Sequence, residues 1–116
     1  MKALEFLGDS LKVLKAFPEA VAREMGYSLS RVQSGETPGN AKPLKGFKAS
    51  VMEIVVRYDT DTFRSVYIAC LIHQVYVLHV FQKKSTHGIK TPRHEIELIE
   101  ARLRQAQERE TDFENK

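Results

Sequence analysis

Ten residues in the second half of the chain, Val75–Lys84 (VYVLHVFQKK), restrict the possible folds more than any other stretch. Valines and aromatic residues dominate this stretch, and such residues favour a pleated, buried backbone. Apolar residues occur on both of its faces, which indicates an inner strand that is covered on two sides. His79, Lys83 and Lys84 do not fit a purely structural strand, because a buried strand has no need for a titratable ring or for two adjacent cations. A conflict of this kind between local rule and content is expected at a functional site.

Hydrophobic periodicity and turn residues divide the chain into elements. Apolar residues three or four positions apart predict helices, alternation predicts strands, and Gly, Pro, Asn and Asp mark turns. The predicted elements are an edge strand at Ala3–Leu7, a short helix through Leu7, Leu11 and Leu14, a helix from Pro18 to about Gln33, strands at Val51–Tyr58, Phe63–Leu71 and Val75–Lys84, and a last helix that Thr91 caps and that frays after Gln107. Loops are predicted at Ser34–Asn40, at the basic stretch Lys42–Lys48 and at Ser85–Lys90.

This order of elements predicts an α+β fold: a small antiparallel sheet with an N-terminal helical hairpin and a C-terminal helix, the helices lying on one face. The chain length of 116 residues fits one domain, which we place at residues 1–110, with 111–116 as a frayed tail. The apolar stripes expected to face the core are Val21, Met25, Leu29 and Val32 on the second helix and Ile96, Ile99, Leu103 and Ala106 on the last helix.

The positive charge is concentrated in one part of the chain. The net charge is +3, but residues 42–90 carry eight Lys and Arg against three acids. A basic sheet region favours an anionic partner. Cys70 is the only cysteine, so no intrachain disulfide is expected and a reducing, cytoplasmic setting is favoured. We expect no signal peptide and no membrane span, because no stretch approaches the roughly 20 apolar residues that a span requires.

The candidate site consists of polar residues on the three later strands: Glu53, Arg57, Arg64, His79, Lys83 and Lys84. Hairpin pairing can bring Glu53, Arg57 and Arg64 to one side of the sheet, although the pairing register is open. Each residue also has an ordinary structural explanation: Glu53 as a surface ion-pair partner, His79 as a satisfied core histidine, and Lys83 and Lys84 as a solvated strand end. The histidine spacing matches no metal site, so we expect neither a metal nor another cofactor.

Taken together, these residues suit the cleavage of RNA without a metal. That reaction requires a base for the 2′-hydroxyl proton, cations that stabilise the phosphorane, and an acid for the 5′-oxygen. Basic residues of the preceding loop, Lys45 and Lys48, are candidates for phosphate binding, and Phe81 is a candidate for stacking on a base.

Three segments carry a resemblance to a known family. They are EFLGDSLKVLKAFP, KPLKGFKASVMEIVVRYDTDTFRSVYIA and VYVLHVFQKKSTHGIKTPRHEIELIEARL. Together they resemble the RelE/HigB toxin superfamily of type II toxin–antitoxin systems, in its phage-derived branch. The resemblance implies a metal-independent endoribonuclease that cleaves mRNA, often on the ribosome, and a helix-turn-helix antitoxin as partner.

The resemblance also implies roles for individual residues. Arg64 matches the arginine that contacts the scissile phosphate, and Arg57 matches a basic residue that ends the preceding strand. Glu53 or His79 is the candidate base, and Lys83 or Lys84 is the candidate acid or charge stabiliser. A non-catalytic, phage-derived module that has the same fold and docks on RNA or on a protein is the alternative.

Overall fold

The computed structural model describes residues 1–47, 51–84 and 91–115 of the chain. Eight elements follow one another in these ranges: β1 (Ala3–Phe6), α1 (Ser10–Ala16), α2 (Glu19–Gln33), β2 (Ala41–Pro43), β3 (Val51–Tyr58), β4 (Asp61–Ile68), β5 (Gln74–Lys83) and α3 (Arg93–Glu114). The predicted α+β class and its order of helices and strands are confirmed. No helix within these ranges is long and apolar enough to cross a membrane.

The five strands form one sheet in the order β1-β5-β4-β3-β2. Strands β3, β4 and β5 make the predicted antiparallel meander, and β1 is the predicted edge strand. Two features differ from the prediction. β1 runs parallel to β5, and β2 pairs with β3 in a stretch that we predicted to be loop. The sequence did not predict β2, because this strand is only three residues long and ends in Pro43, a residue that only an edge strand tolerates.

Helices cover both faces of the sheet, so the prediction that they share one face was wrong. α1 and α2 pack on one face, where the predicted stripe of α2 is buried against β3, β4 and β5. α3 packs on the other face, where Ile99 and Ala106 are buried beside Tyr76 and Leu78 of β5. The physical reason is the content of β5: both of its faces are apolar, and each of them needs a cover.

A β-bulge changes the alternation of β5. His79 pairs with Val66 of β4, but Tyr67 pairs with Val77, so Leu78 is the extra residue. Leu78 therefore packs on the α3 face together with Tyr76, and His79 contacts α3 as well. Bulges re-aim side chains in this way. As a result, His79, Phe81 and Lys83 follow the bulge on the α3 face of the sheet.

α3 is longer than the sequence indicated, and the fraying predicted after Gln107 was wrong. Glu110 is buried, and its carboxylate accepts hydrogen bonds from the Tyr76 hydroxyl (2.8 Å) and from the His73 backbone N–H (3.0 Å). Phe113 stacks on the His73 ring with a centroid distance of 5.0 Å. These contacts to the start of β5 hold the last turns of the helix in place.

We expect Glu110→Gln to lower the stability of the fold. Burial alone raises the pKa of Glu110, but the hydrogen bonds from His73 and Tyr76 outweigh burial and hold the pKa below its ordinary value. A carboxyl with a lowered pKa in the folded state stabilises the fold above its unfolded pKa and loses this contribution as the pH falls through the folded value. The variant should therefore lose about 1–3 kcal/mol of unfolding free energy at pH 7. Urea unfolding at pH 7 and pH 3 measures the loss, which should shrink at pH 3; Glu108→Gln, at an exposed position, is the control.

The β3–β4 turn holds two non-glycine residues in the left-handed region, Asp59 (φ 51°) and Thr60 (φ 71°). Two-residue hairpin turns with positive φ at both positions favour glycine at the second, and a β-branched residue there is strained. We expect Thr60→Gly to raise the unfolding free energy by about 1 kcal/mol. Thr60→Ala, which keeps a Cβ, should raise it less. The urea midpoints of the three proteins test this, and equal midpoints would exclude strain at Thr60.

Candidate functional site

A cleft of about 800 Å³ opens on the α3 face of the sheet, between the β2–β3 edge and the start of α3. We call it the cationic cleft. The described residues that line it are Lys42, Pro43, Leu44, Lys45, Glu53, Arg57, Thr60, Thr62, Arg64, Lys83, Lys84, Thr91 and Ile96. Six of these side chains are cationic and one is acidic. The lining of the cleft therefore carries a strong excess of positive charge.

Strand register brings the charged residues of β3 and β4 together. Glu53 and Arg57 lie on the same face of β3, and Arg64 of β4 pairs with Val55, which lies between them. The Arg64 Nη1 atom donates to Glu53 Oε1 at 2.9 Å, and Arg64 Nε donates to Thr62 Oγ1 at 3.4 Å. The grouping of Glu53, Arg57 and Arg64 that the sequence left open is therefore present. The guanidinium of Arg64 is held in one orientation.

Lys42 is a member of the cleft that sequence reasoning missed. It pairs with Glu53 across β2 and β3, and its Nζ lies 3.8 Å from Glu53 Oε1. The signal was present in the sequence: Lys42 and Leu44 are two residues apart, so in an extended backbone their side chains lie on the same face. An alternating pair beside Pro43 is compatible with a short edge strand.

Two polar atoms in the cleft are buried and, among the described residues, have no hydrogen-bond partner: Glu53 Oε2 and Lys83 Nζ. Both side chains are almost fully buried, Glu53 at 3% and Lys83 at 4% exposure. Such atoms carry a desolvation cost unless a ligand or water satisfies them. Burial lowers the pKa of Lys83, and the neighbouring Arg64 lowers it further, against an opposing effect of Glu53. The wall of the cleft thus contains one buried acceptor and one buried donor that the described residues leave without a hydrogen-bond partner.

The remaining predicted residues are divided between the cleft and its surroundings. Lys84 lies at the cleft with 61% of its side chain exposed, 4.0 Å from Asp61. Arg57 and Lys45 also line the cleft from exposed positions. Lys48, predicted to bind RNA, lies outside the described residues.

His79 and Phe81 are not brought into the cleft. His79 is 5% exposed, and both of its ring nitrogens are engaged, one by Arg102 and the other by Glu95. Phe81 is buried in the core under α3 and stacks on His79 with a centroid distance of 5.2 Å. The structure thus places neither ring where a bound nucleotide in the cleft would meet it.

The fold and the cleft define a class: a small α+β protein whose mainly antiparallel sheet presents a cationic, partly buried site beside its C-terminal helix. Residues 12–104 match the family model described as "Phage derived protein Gp49-like (DUF891)". The chain therefore belongs to the Gp49-like phage-derived family. Neither the search of curated proteins nor the search of solved structures finds a match to this chain.

Proposed function

We propose that the chain is the toxin of a type II toxin–antitoxin pair and that it cleaves mRNA on the ribosome, in the cytoplasm, without a metal ion. The observation that carries the proposal is a pair of buried atoms in one cationic cleft, Glu53 Oε2 and Lys83 Nζ, for which the described part of the chain provides no hydrogen-bond partner. The Gp49-like family supports a toxin-type module of phage origin. The sequence resemblance to the RelE/HigB toxin superfamily supports the choice of mRNA as substrate.

The reaction assigns a task to each unsatisfied atom. The 2′-oxygen of the substrate forms a bond to phosphorus, and the bond between phosphorus and the 5′-oxygen breaks. Glu53 Oε2 accepts the proton of the 2′-hydroxyl, and the Lys83 ammonium gives a proton to the departing 5′-oxygen. The products are a 2′,3′-cyclic phosphate and a 5′-hydroxyl. Of the two candidate bases, Glu53 is preferred because His79 has no free ring nitrogen.

Arg64 and Arg57 stabilise the charge that develops on the phosphorane. Arg64 suits this task because Glu53 and Thr62 already orient its guanidinium, so no reorganisation is needed in the transition state. Lys42, Lys45 and Lys84 are positioned for the flanking phosphates. Binding through several such contacts weakens steeply with salt.

A partner that neutralises this site must cover positive charge. We propose a helix-turn-helix antitoxin that places an acidic segment over the cationic cleft. The expected result is that the purified pair does not cleave RNA and that high salt weakens the complex. A stoichiometric partner that leaves RNA cleavage intact would contradict occupation of the cleft.

The test is expression of the chain without an antitoxin, followed by mapping of RNA 5′ ends. The expected result is growth arrest with new 5′-hydroxyl ends in mRNA. Purified protein that has been treated with a metal chelator and then dialysed should produce the same ends when it is added to ribosomes and mRNA. Binding to RNA or ribosomes without new ends would favour the alternative, a non-catalytic phage-derived binding module.

A further inference from the structure

We propose that His79 is a positioning residue, which, in one fixed neutral tautomer, ties β5 to α3 and holds the α3 wall of the cationic cleft. The inference rests on the proposed function in one respect, because it takes the cleft to be the place of reaction. It differs from the prediction made from the sequence, in which His79 was a candidate base.

The hydrogen bonds determine the tautomer of His79. Arg102 Nη1 lies 2.9 Å from Nδ1 of the ring. A guanidinium can only donate, so Nδ1 accepts and the ring proton is on Nε2. Nε2 lies 3.2 Å from Glu95 Oε1 and donates to it. An imidazole in this state has no lone pair left for a substrate proton.

Glu95 and Arg102 are seven residues apart on α3, so both lie on the helix face that covers β5, with the fully buried Ile99 between them. One ring therefore bonds to two helix residues that are about two turns apart. His94 also approaches Glu95, at 3.2 Å, and Asp9 approaches Arg102, at 3.1 Å. Among the residues that the structure describes, the charged and titratable groups around the ring are thus Glu95, Arg102, His94 and Asp9.

Contacts with other parts of the fold fix the position of Arg102. Its Nη1 atom donates to the Leu78 carbonyl oxygen at 3.1 Å, at the bulge of β5. Its guanidinium lies over Gly8, where a Cβ would stand 2.5 Å from Nη2, and Gly8 has a φ of +56°. A side chain at residue 8 would be both strained and in collision with Arg102. The turn before α1, the bulge of β5 and α3 therefore meet at one guanidinium.

The contacts of His79 connect to the cleft both through α3 and through β5. Ile96, next to Glu95 in sequence, lines the cleft together with Thr91. On β5, His79 stacks on Phe81, two residues before the buried Lys83. Without the tie, the first turns of α3 are free to move from the sheet, and the burial that lowers the pKa of Lys83 is reduced.

The test compares His79→Asn with His79→Leu. The Asn oxygen can accept from Arg102 as Nδ1 does, whereas Leu leaves Arg102 and Glu95 without their shared partner. We expect His79→Leu to lower kcat for RNA cleavage by about 10- to 100-fold. His79→Asn keeps an acceptor for Arg102 and loses the contact with Glu95, so it should keep more of the wild-type kcat than His79→Leu does, together with the wild-type pH profile. Gln105→Leu, at an exposed position of α3, is the control and should leave kcat unchanged.

Two measurements do not depend on RNA cleavage. The ¹⁵N shifts of the His79 ring should report the Nε2–H tautomer, and hydrogen exchange at the Ile99 amide should be faster in His79→Leu than in the wild type. Equal loss of kcat in both His79 variants, with loss of the acidic limb of the pH profile, would instead identify His79 as a base. An Nδ1–H tautomer, or unchanged exchange at Ile99, would overturn the inference. If the wild type cleaves no RNA, the proposed function fails, and the tautomer and exchange results still decide the role of His79.

Discussion

Replacing Lys83 by methionine should lower the rate of RNA cleavage by about 10²- to 10⁴-fold, the contribution of one positioned acid. Methionine retains the apolar stem and removes the amine, and it leaves no buried charge behind. Since Lys83 Nζ has no hydrogen-bond partner among the described residues, the substitution breaks no hydrogen bond that those residues show. Single-turnover cleavage of ribosome-bound mRNA measures the loss, and urea unfolding verifies that the variant folds.

The pH profile tests whether Lys83 acts as an acid. Burial and Arg64 lower the pKa of Lys83 below its ordinary value of 10.5. An acid must be protonated, so cleavage should fall as the pH rises through this lowered pKa. Lys83→Met should lack that alkaline limb. Lys12→Met, on the exposed surface of α1, is the control and should retain both rate and limb. A wild-type rate that instead rises over this pH range and then levels off would assign Lys83 as the base.

Replacing Arg64 by alanine should affect both catalysis and stability. Loss of one preorganised cation at the phosphorane should lower kcat by about 10²- to 10³-fold. The same change deprives Glu53 of its closest cation, because the two side chains form an ion pair at 2.9 Å with 12% and 4% exposure. Breaking a buried pair in this way costs about 3–5 kcal/mol. Cleavage assays and urea unfolding of the same preparations measure the two losses.

A double variant separates the two effects. Glu53→Gln/Arg64→Met removes both charges, so it should recover most of the stability that Arg64→Ala loses, and it should show no cleavage. Arg64→Lys keeps the charge without the planar fork, and we expect an intermediate kcat with near wild-type stability. Cleavage by the stable double variant at the wild-type rate would exclude Glu53 and Arg64 from the reaction.

Local sequence pattern predicted well those elements whose own sequence shows which side packs against the rest of the fold. The stripe of α2 has a spacing of three and four, and Val51–Tyr58 alternates, so periodicity alone indicates type and extent. Periodicity did not predict β2 or the last turns of α3. β2 is too short to show alternation, and the end of α3 is held by contacts of Glu110 and Phe113 with His73, which is 37 residues before Glu110.

The candidate site shows the same division. Residue types on β3, β4 and β5 were sufficient to select Glu53, Arg64 and Lys83 as candidates. The sequence could not distinguish these three residues from His79, because it does not show whether a histidine on a strand faces a cleft or a helix. Contacts with Arg102 and Glu95, both on α3, made that distinction.

The sequence by itself determined that this chain forms an α+β domain around an apolar inner strand and that positive charge gathers on its sheet. Local periodicity and charge counts carry this information, and they require no partner. Only the tertiary structure decided which residues meet in the cleft. A bulge at Leu78 turns His79 toward α3, and β2 brings Lys42 to Glu53. Both results depend on strand register, in which a shift of one residue exchanges the two faces of a strand. The VYVLHVFQKK strand is therefore both an inner strand of the sheet and the source of its buried amine.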